Sequence, residues 1–127
     1  MSEGYVNEIG EPNDLSDVTS NDEMPEDMEL LYLGLLRRGS TWTPELTPEV
    51  EALQEAHLAN IERMRQSGEL LVAGPFGDDG DLRGVYIFRV NSMEEAIDLT
   101  DTDPAVKAGR LMFELHPWWV KKSVFGG

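Results

Sequence analysis

Cysteine is absent from this 127-residue chain, which excludes a disulfide framework, a thiol nucleophile and a thiolate metal site, and suits a reducing compartment. No apolar run approaches the ~20 residues that span a bilayer. The opening Met1-Ser2-Glu3-Gly4 has neither the basic nor the apolar region of a signal peptide. A soluble, cytoplasmic protein is therefore expected. Positive charge is scarce, with 10 Lys and Arg against 25 Asp and Glu, a net charge of -15. No basic stripe is present, so phosphate backbones and anionic membrane surfaces would be repelled, and neither nucleic acid nor membrane is an expected partner. A glycine-rich phosphate loop opening a helix is also missing, as is a serine on a strand-to-helix elbow.

The acids that are present are unevenly spread. Residues 1–27 hold nine of them and no Lys or Arg, which leaves 16 acids against 10 bases in residues 28–127, a mild -6. Apolar residues in 1–27 are too sparse and unperiodic to bury anything. That segment reads as a disordered, solubilising acidic arm rather than a docking peptide. Residues 28–122 then form one domain, large enough to bury a core without staples, and residues 123–127 a short tail.

Met28 to Arg38 is an apolar run ending in two arginines before the turn signal Gly39-Ser40, and reads as a first strand. A loop with Trp42 and Pro44 follows. Thr47 is the expected N-cap of a helix with Pro48 as its first residue, Glu49 and Glu51 favoured by the helix dipole, and Gly68 as its stop. Val50, Leu53, His57, Ile61 and Met64 share one stripe of that helix, so His57 is expected to face inward. Strands over Glu69–Phe76 and Leu82–Val90 flank the loop Gly77-Asp78-Asp79-Gly80-Asp81. The loop lacks the ligand spacing and terminal Glu of an EF-hand, so a solvated turn is expected there rather than a calcium site. Ser92 and Glu95 make a capping box for a second helix, broken at Thr100–Asp103. Pro104–Ala108 reads as a helical turn stopped at Gly109, and Arg110–Val120 as a last strand in which Pro117 marks an edge or a bend.

The order strand, helix, strand, strand, helix, strand is the ferredoxin-like split βαβ arrangement, an α+β fold with an antiparallel sheet and both helices on one face. Strands one, three and four nevertheless carry apolar residues on both faces, as in Val85 and Ile87 against Tyr86 and Phe88. With no further helix to cover the second face, a second copy is the simplest cover, and a symmetric homodimer with two sheets face to face is expected.

A histidine on an apolar face is most often a core residue with a satisfied ring. A carboxylate partner changes that, because a general base needs its second ring nitrogen held by a group that fixes the tautomer and stabilises the imidazolium. Asp103 is the best candidate. Before Pro104 it also reads as an N-cap, and one carboxylate can serve both a backbone donor and an imidazole. Asp98, Asp101 and the loop acids read as solvated surface. His116, next to Pro117 and the tryptophan pair, reads as surface or interface, and no spacing brings it together with His57 and an acid, so no metal is expected. Tyr32, Tyr86 and Phe113 read as core or interface. Trp118 and Trp119 point to opposite faces of one strand, so one can pack in the core while the other borders a pocket; Trp118 is taken as the pocket residue.

The chain resembles the YCII-related family of the dimeric α/β-barrel superfamily. The resemblance covers roughly residues 28–122 and rests on His57-Leu58, on Gly68 through Pro75, on Gly84-Val85-Tyr86-Ile87-Phe88, and on Asp103-Pro104-Ala105-Val106-Lys107-Ala108-Gly109. It implies a ferredoxin-like dimer, a dimeric α/β barrel, with a His and Asp pair in a pocket, which map onto His57 and Asp103, and with Gly74 and Pro75 at the end of the strand lining it. It also implies lyase chemistry like that of a similar protein, which removes chloride from a chlorinated hydroxyquinol with such a dyad and with neither metal nor organic cofactor. Two readings of function follow. In one, His57 oriented by Asp103 takes a proton from a small aromatic or enolisable molecule whose anion then eliminates or isomerises. In the other, the pocket binds a small metabolite without turnover, and the pair merely satisfies a buried polar contact.

Overall fold

A computed structural model describes residues 26–126. The acidic arm expected over residues 1–27 therefore lies outside the described residues, apart from a turn at Glu26 and Asp27. The elements are β1 (Met28–Arg38), α1 (Pro48–Ser67), β2 (Leu70–Pro75), β3 (Leu82–Phe88), α2 (Met93–Asp101), α3 (Pro104–Lys107) and β4 (Leu111–Lys121). The four strands form one sheet in the order β2-β3-β1-β4, and every neighbouring pair is antiparallel. This is the ferredoxin-like fold.

Local chemistry sets the helix limits. The Thr47 side chain accepts from the Val50 amide at 3.2 Å, Pro48 opens α1, and Gly68 ends it at φ 87°, where a side chain would be strained. Ser92 accepts from the Glu95 amide at 3.1 Å and starts α2. Asp103 accepts from the Ala105 amide at 2.9 Å and starts α3. The ladder between β2 and β3 extends past both ends of β2, since Arg89 N–H donates to the Glu69 carbonyl at 2.8 Å and Phe76 N–H to the Arg83 carbonyl at 3.0 Å. Pro117 pairs opposite Tyr32 without ending β4. Among the described residues β4 is an edge strand, with one row of N–H groups facing no other strand, where proline costs little.

Strand alternation divides the apolar residues into two layers. Tyr32, Leu36, Tyr86, Phe88, Phe113 and Leu115 pack with Met64, Met93, Ala96 and Val106 from the helices. Leu31, Ile87 and Val120 form a second cluster with Leu33, Leu71, Val85 and Phe125, and no helical residue joins it. The helices thus cover a single face. The C-terminal residues contribute to the other: Phe125 joins that cluster and lies 6.3 Å from the Trp118 ring.

Candidate active site

The antiparallel register puts Tyr86 of β3 on the helix-covered face, opposite Gly34 of β1 and Ala73 of β2. The stripe of α1 turns His57 toward the same place, and the cap of α3 delivers Asp103 from 46 residues further along the chain. His57 Nδ1 lies 2.6 Å from Asp103 Oδ2. Tyr86 O–H donates to the same oxygen at 2.9 Å, while the Ala105 amide donates to Oδ1 at 2.9 Å. Asp103 is fully buried, with 0% exposure. Its two oxygens already accept from O–H and N–H donors, so the third partner completes the set as a donor, with the imidazole proton on Nδ1. That leaves the Nε2 lone pair free, and among the described residues nothing bonds it.

His57 lines a cavity of about 250 Å³, a little below the roughly 300–1,000 Å³ of drug-sized sites. Its walls come from Leu58 and Ile61 of α1, Gly74 and Pro75 of β2, and Tyr86 of β3, with Trp42, Arg83 and Arg110 also present. A Cβ on Gly84, also in the wall, would stand 2.9 Å from the Gly74 carbonyl oxygen, so the two strands approach too closely there for any side chain. The Tyr86 ring stacks on His57 with centroids 6.3 Å apart and planes 22° from parallel, and meets Phe88 edge-on at 5.6 Å. Burial pushes the Tyr86 hydroxyl far above its ordinary value, and the charge and hydrogen bond of Asp103 push it the same way. Tyr86 therefore stays a donor, and holds the carboxylate that holds the imidazole.

The structure brings His57, Gly74 and Pro75 to one cavity, with Asp103 hydrogen-bonded to His57 from within the core. It does not bring Trp118. That residue pairs with Leu31 on the helix-free face and is 39% exposed, so it is no part of the cavity wall. Alternation along β4 separates Trp118 from Trp119 correctly, but only the register against β1 decides which of them shares a face with His57. His116 also falls on the helix-free face, opposite Leu33. Among the described residues no three His, Asp or Glu side chains are grouped to hold a metal ion, and no helix is long and apolar enough to cross a membrane.

Several residues matter more than sequence reasoning suggested. Tyr86 read as core or interface, although a buried tyrosine hydroxyl must find a partner. Asn60, one turn after His57, is buried; its Oδ1 accepts from Thr102 Oγ1 at 3.2 Å and from Arg63 on its own helix, tying α1 to the residue preceding Asp103. Arg83 and Arg110 carried no motif at all.

The element order and the antiparallel strand order β2-β3-β1-β4 are those of the ferredoxin-like class. Residues 36–118 match the YCII-related domain, well over half of the chain, and the protein belongs to the YCII-related family. It is 30% identical over 81 residues to an uncharacterized protein, YjpA, of Bacillus subtilis (strain 168), covering 61% of this chain and 93% of that protein. Among solved structures it resembles 5-chloro-2-hydroxyhydroquinone dehydrochlorinase (TftG) from Burkholderia phenoliruptrix AC1100, in complex with 2,5-dihydroxybenzoquinone. The TM-score is 0.52 and the identity 25%, covering 69% of this chain and 92% of that one.

Proposed function

We propose that this protein is a cofactor-independent acid–base enzyme of the lyase or isomerase type, dehydrohalogenase-like, acting on a small aromatic or enolisable molecule through His57 and Asp103. The observation that carries the reading is the 2.6 Å contact between His57 Nδ1 and Asp103 Oδ2 at the wall of a cavity, with Nε2 unbonded among the described residues. Nε2 takes a proton from a substrate hydroxyl or acidic carbon. Asp103, already bound by Tyr86 and Ala105, stabilises the imidazolium without taking the proton itself. In an elimination the electron pair left behind expels an anionic leaving group such as chloride, and His57 passes its proton to solvent. In an isomerisation the same proton returns to another atom of the substrate. The dehydrochlorinase activity and quinone ligand of the structural neighbour support the elimination branch.

The unit that folds is taken as residues 28–122, working as a soluble, cytoplasmic homodimer joined through the helix-free sheet faces. The second apolar cluster and the partial exposure of Val72 and Trp118 on that face support the dimer; sedimentation at micromolar concentration checks it, and a monomeric mass would refute it.

The test of the chemistry is chloride release from 5-chloro-2-hydroxyhydroquinone and related chlorohydroquinones, together with solvent-deuterium incorporation into enolisable probes. His57→Asn is expected to slow turnover by about 10²–10⁴-fold while probe binding is retained. Undiminished turnover in His57→Asn would refute the dyad. Saturable binding with no turnover by the unaltered protein would instead make the cavity a binding site.

A further inference from the structure

We infer that the ligand of this cavity carries an anionic oxygen group in its ground state, received by Arg83 and Arg110. This rests on the cavity being the ligand site proposed above, and names the class of molecule it takes.

The argument begins with Trp42. The guanidinium carbons of Arg38, Arg83 and Arg110 lie 5.2, 5.2 and 4.1 Å from the centroid of its ring. Three cations thus share one indole. Each gains some attraction from the ring face, but an indole carries no net charge and leaves their mutual repulsion in place. Their hydrogen bonds do not neutralise them either. Arg38 donates to the Asp79 carbonyl at 2.7 Å, Arg83 to the Asp78 and Gly80 carbonyls at 3.1 Å each, and Arg110 to the Thr43 carbonyl at 2.9 Å. Every acceptor is backbone. Among the described residues none of the three forms an ion pair with a carboxylate, although nearby Asp81 pairs with Arg37.

In a chain with 25 acids and 10 bases, a cationic cluster without a carboxylate partner among the described residues runs against composition. Arg110 is the extreme case, with 5% exposure, and a buried unpaired charge is costly. Burial lowers the affinity of Arg110 for its proton, and the neighbouring charge of Arg83 lowers it further. Arg83, Arg110 and Trp42 all line the cavity that His57 lines, so a ligand there meets two guanidiniums and the free imidazole nitrogen together. A planar carboxylate or an ionised phenol or enol oxygen fits such donors and supplies the missing charge.

The backbone holds this corner rigidly. Gly39 N–H donates to the Arg110 carbonyl at 2.8 Å and Thr41 N–H to the Gly109 carbonyl at 3.0 Å, which clamps the Trp42 loop onto the start of β4. A Cβ on Gly39 would stand 2.1 Å from the Gly109 carbonyl oxygen, so only glycine permits the approach. The cluster is therefore in place before a ligand arrives.

The test uses the full chain and three probes: benzoate, para-nitrophenolate under conditions where it is ionised, and neutral benzamide. Binding is followed by NMR shifts of the tryptophan indole N–H signals. At least one anion is expected to bind saturably, about 10-fold or more tighter than benzamide, and to weaken as salt is added. Arg83→Met is expected to abolish the preference, as is Arg110→Met; Arg83→Met also keeps the test decisive if the Arg110 variant fails to fold. Binding of benzoate assigns a carboxylate pocket, and binding of para-nitrophenolate alone a phenolate or enolate one. Equal affinity for anions and benzamide, no saturable anion binding, or an unchanged preference in Arg83→Met would overturn the inference. Repeating the titration in His57→Asn separates the two proposals. An anion preference that survives there stands even if turnover proves independent of His57, and a lost preference in a protein that still needs His57 for turnover removes only the anion site.

Discussion

Among the described residues each face of the sheet buries one carboxylate beside a histidine, and the two are neutralised differently. Under the helices, Asp103 holds His57 at 2.6 Å and is otherwise bound by neutral donors, a tyrosine hydroxyl and a backbone amide. On the helix-free face, Glu114 is equally buried, with 1% exposure, and meets His116 Nε2 at 3.0 Å, but Arg37 Nε also reaches it at 2.5 Å. A guanidinium neutralises Glu114 permanently, and His116 lines no part of the cavity. Among the described residues Asp103 has no arginine or lysine partner, so under the function proposed above its charge is available to stabilise an imidazolium that comes and goes. A buried histidine and carboxylate are therefore not by themselves a site. An unneutralised acid and an open second nitrogen are what single out His57 and Asp103 as the candidate.

The sharpest way to break this contrast is to remove the acid from the helix side. Asp103→Ala leaves the Tyr86 hydroxyl and the Ala105 amide without their acceptor in the core, and is expected to lower stability by about 3 kcal/mol or more in urea unfolding. Asp103→Asn keeps an acceptor for the cap and should cost much less stability, yet still lose most turnover, because an amide cannot stabilise the imidazolium. A loss below about 1 kcal/mol for the alanine variant would mean that Asp103 is not the joint between α3, β3 and α1.

On the other face, Arg37→Met strands Glu114 with only His116 beside it. We expect a loss of about 2 kcal/mol, less than for a fully buried pair because Arg37 is partly solvated. His57 NMR shifts and binding in the cavity should be unaffected; a change in either would show that the two pairs are coupled through the sheet.

The smallest effect concerns Tyr86. Its hydroxyl is held protonated above the ordinary value of 10.0, so it should be missing from the phenol ultraviolet transition around that pH. The sign of the linked stability follows. The contribution is complete below pH 10.0 and declines as pH rises above it, because the unfolded chain ionises first. Appearance of every tyrosine in the ordinary transition while the protein remains folded would remove Tyr86 from the hydrogen-bonded set.

Much of the fold was legible along the chain because its determinants are local. Thr47-Pro48 and Gly68 bound α1 through capping and a left-handed residue, Ser92 opens α2, and Asp103-Pro104 opens α3. Alternation in β1 and β3 marks two buried faces, and both are present. The inward face of His57 follows from helical spacing. Its partner was reached by the chemistry a base requires and by family likeness, since no periodicity spans the 46 residues to Asp103.

What the sequence by itself determined, then, is the set of elements, their order and the histidine's inward stripe, all matters of spacing within one helix or strand. The tertiary structure alone decided which residues meet across elements. It set the β1–β4 register that sends Trp118 and His116 away from His57, placed Tyr86 as the second donor to Asp103, and gathered three arginines on Trp42, two of them in the cavity wall. Those meetings depend on packing between segments far apart in the chain, where burial and hydrogen-bond geometry act and local spacing carries no information.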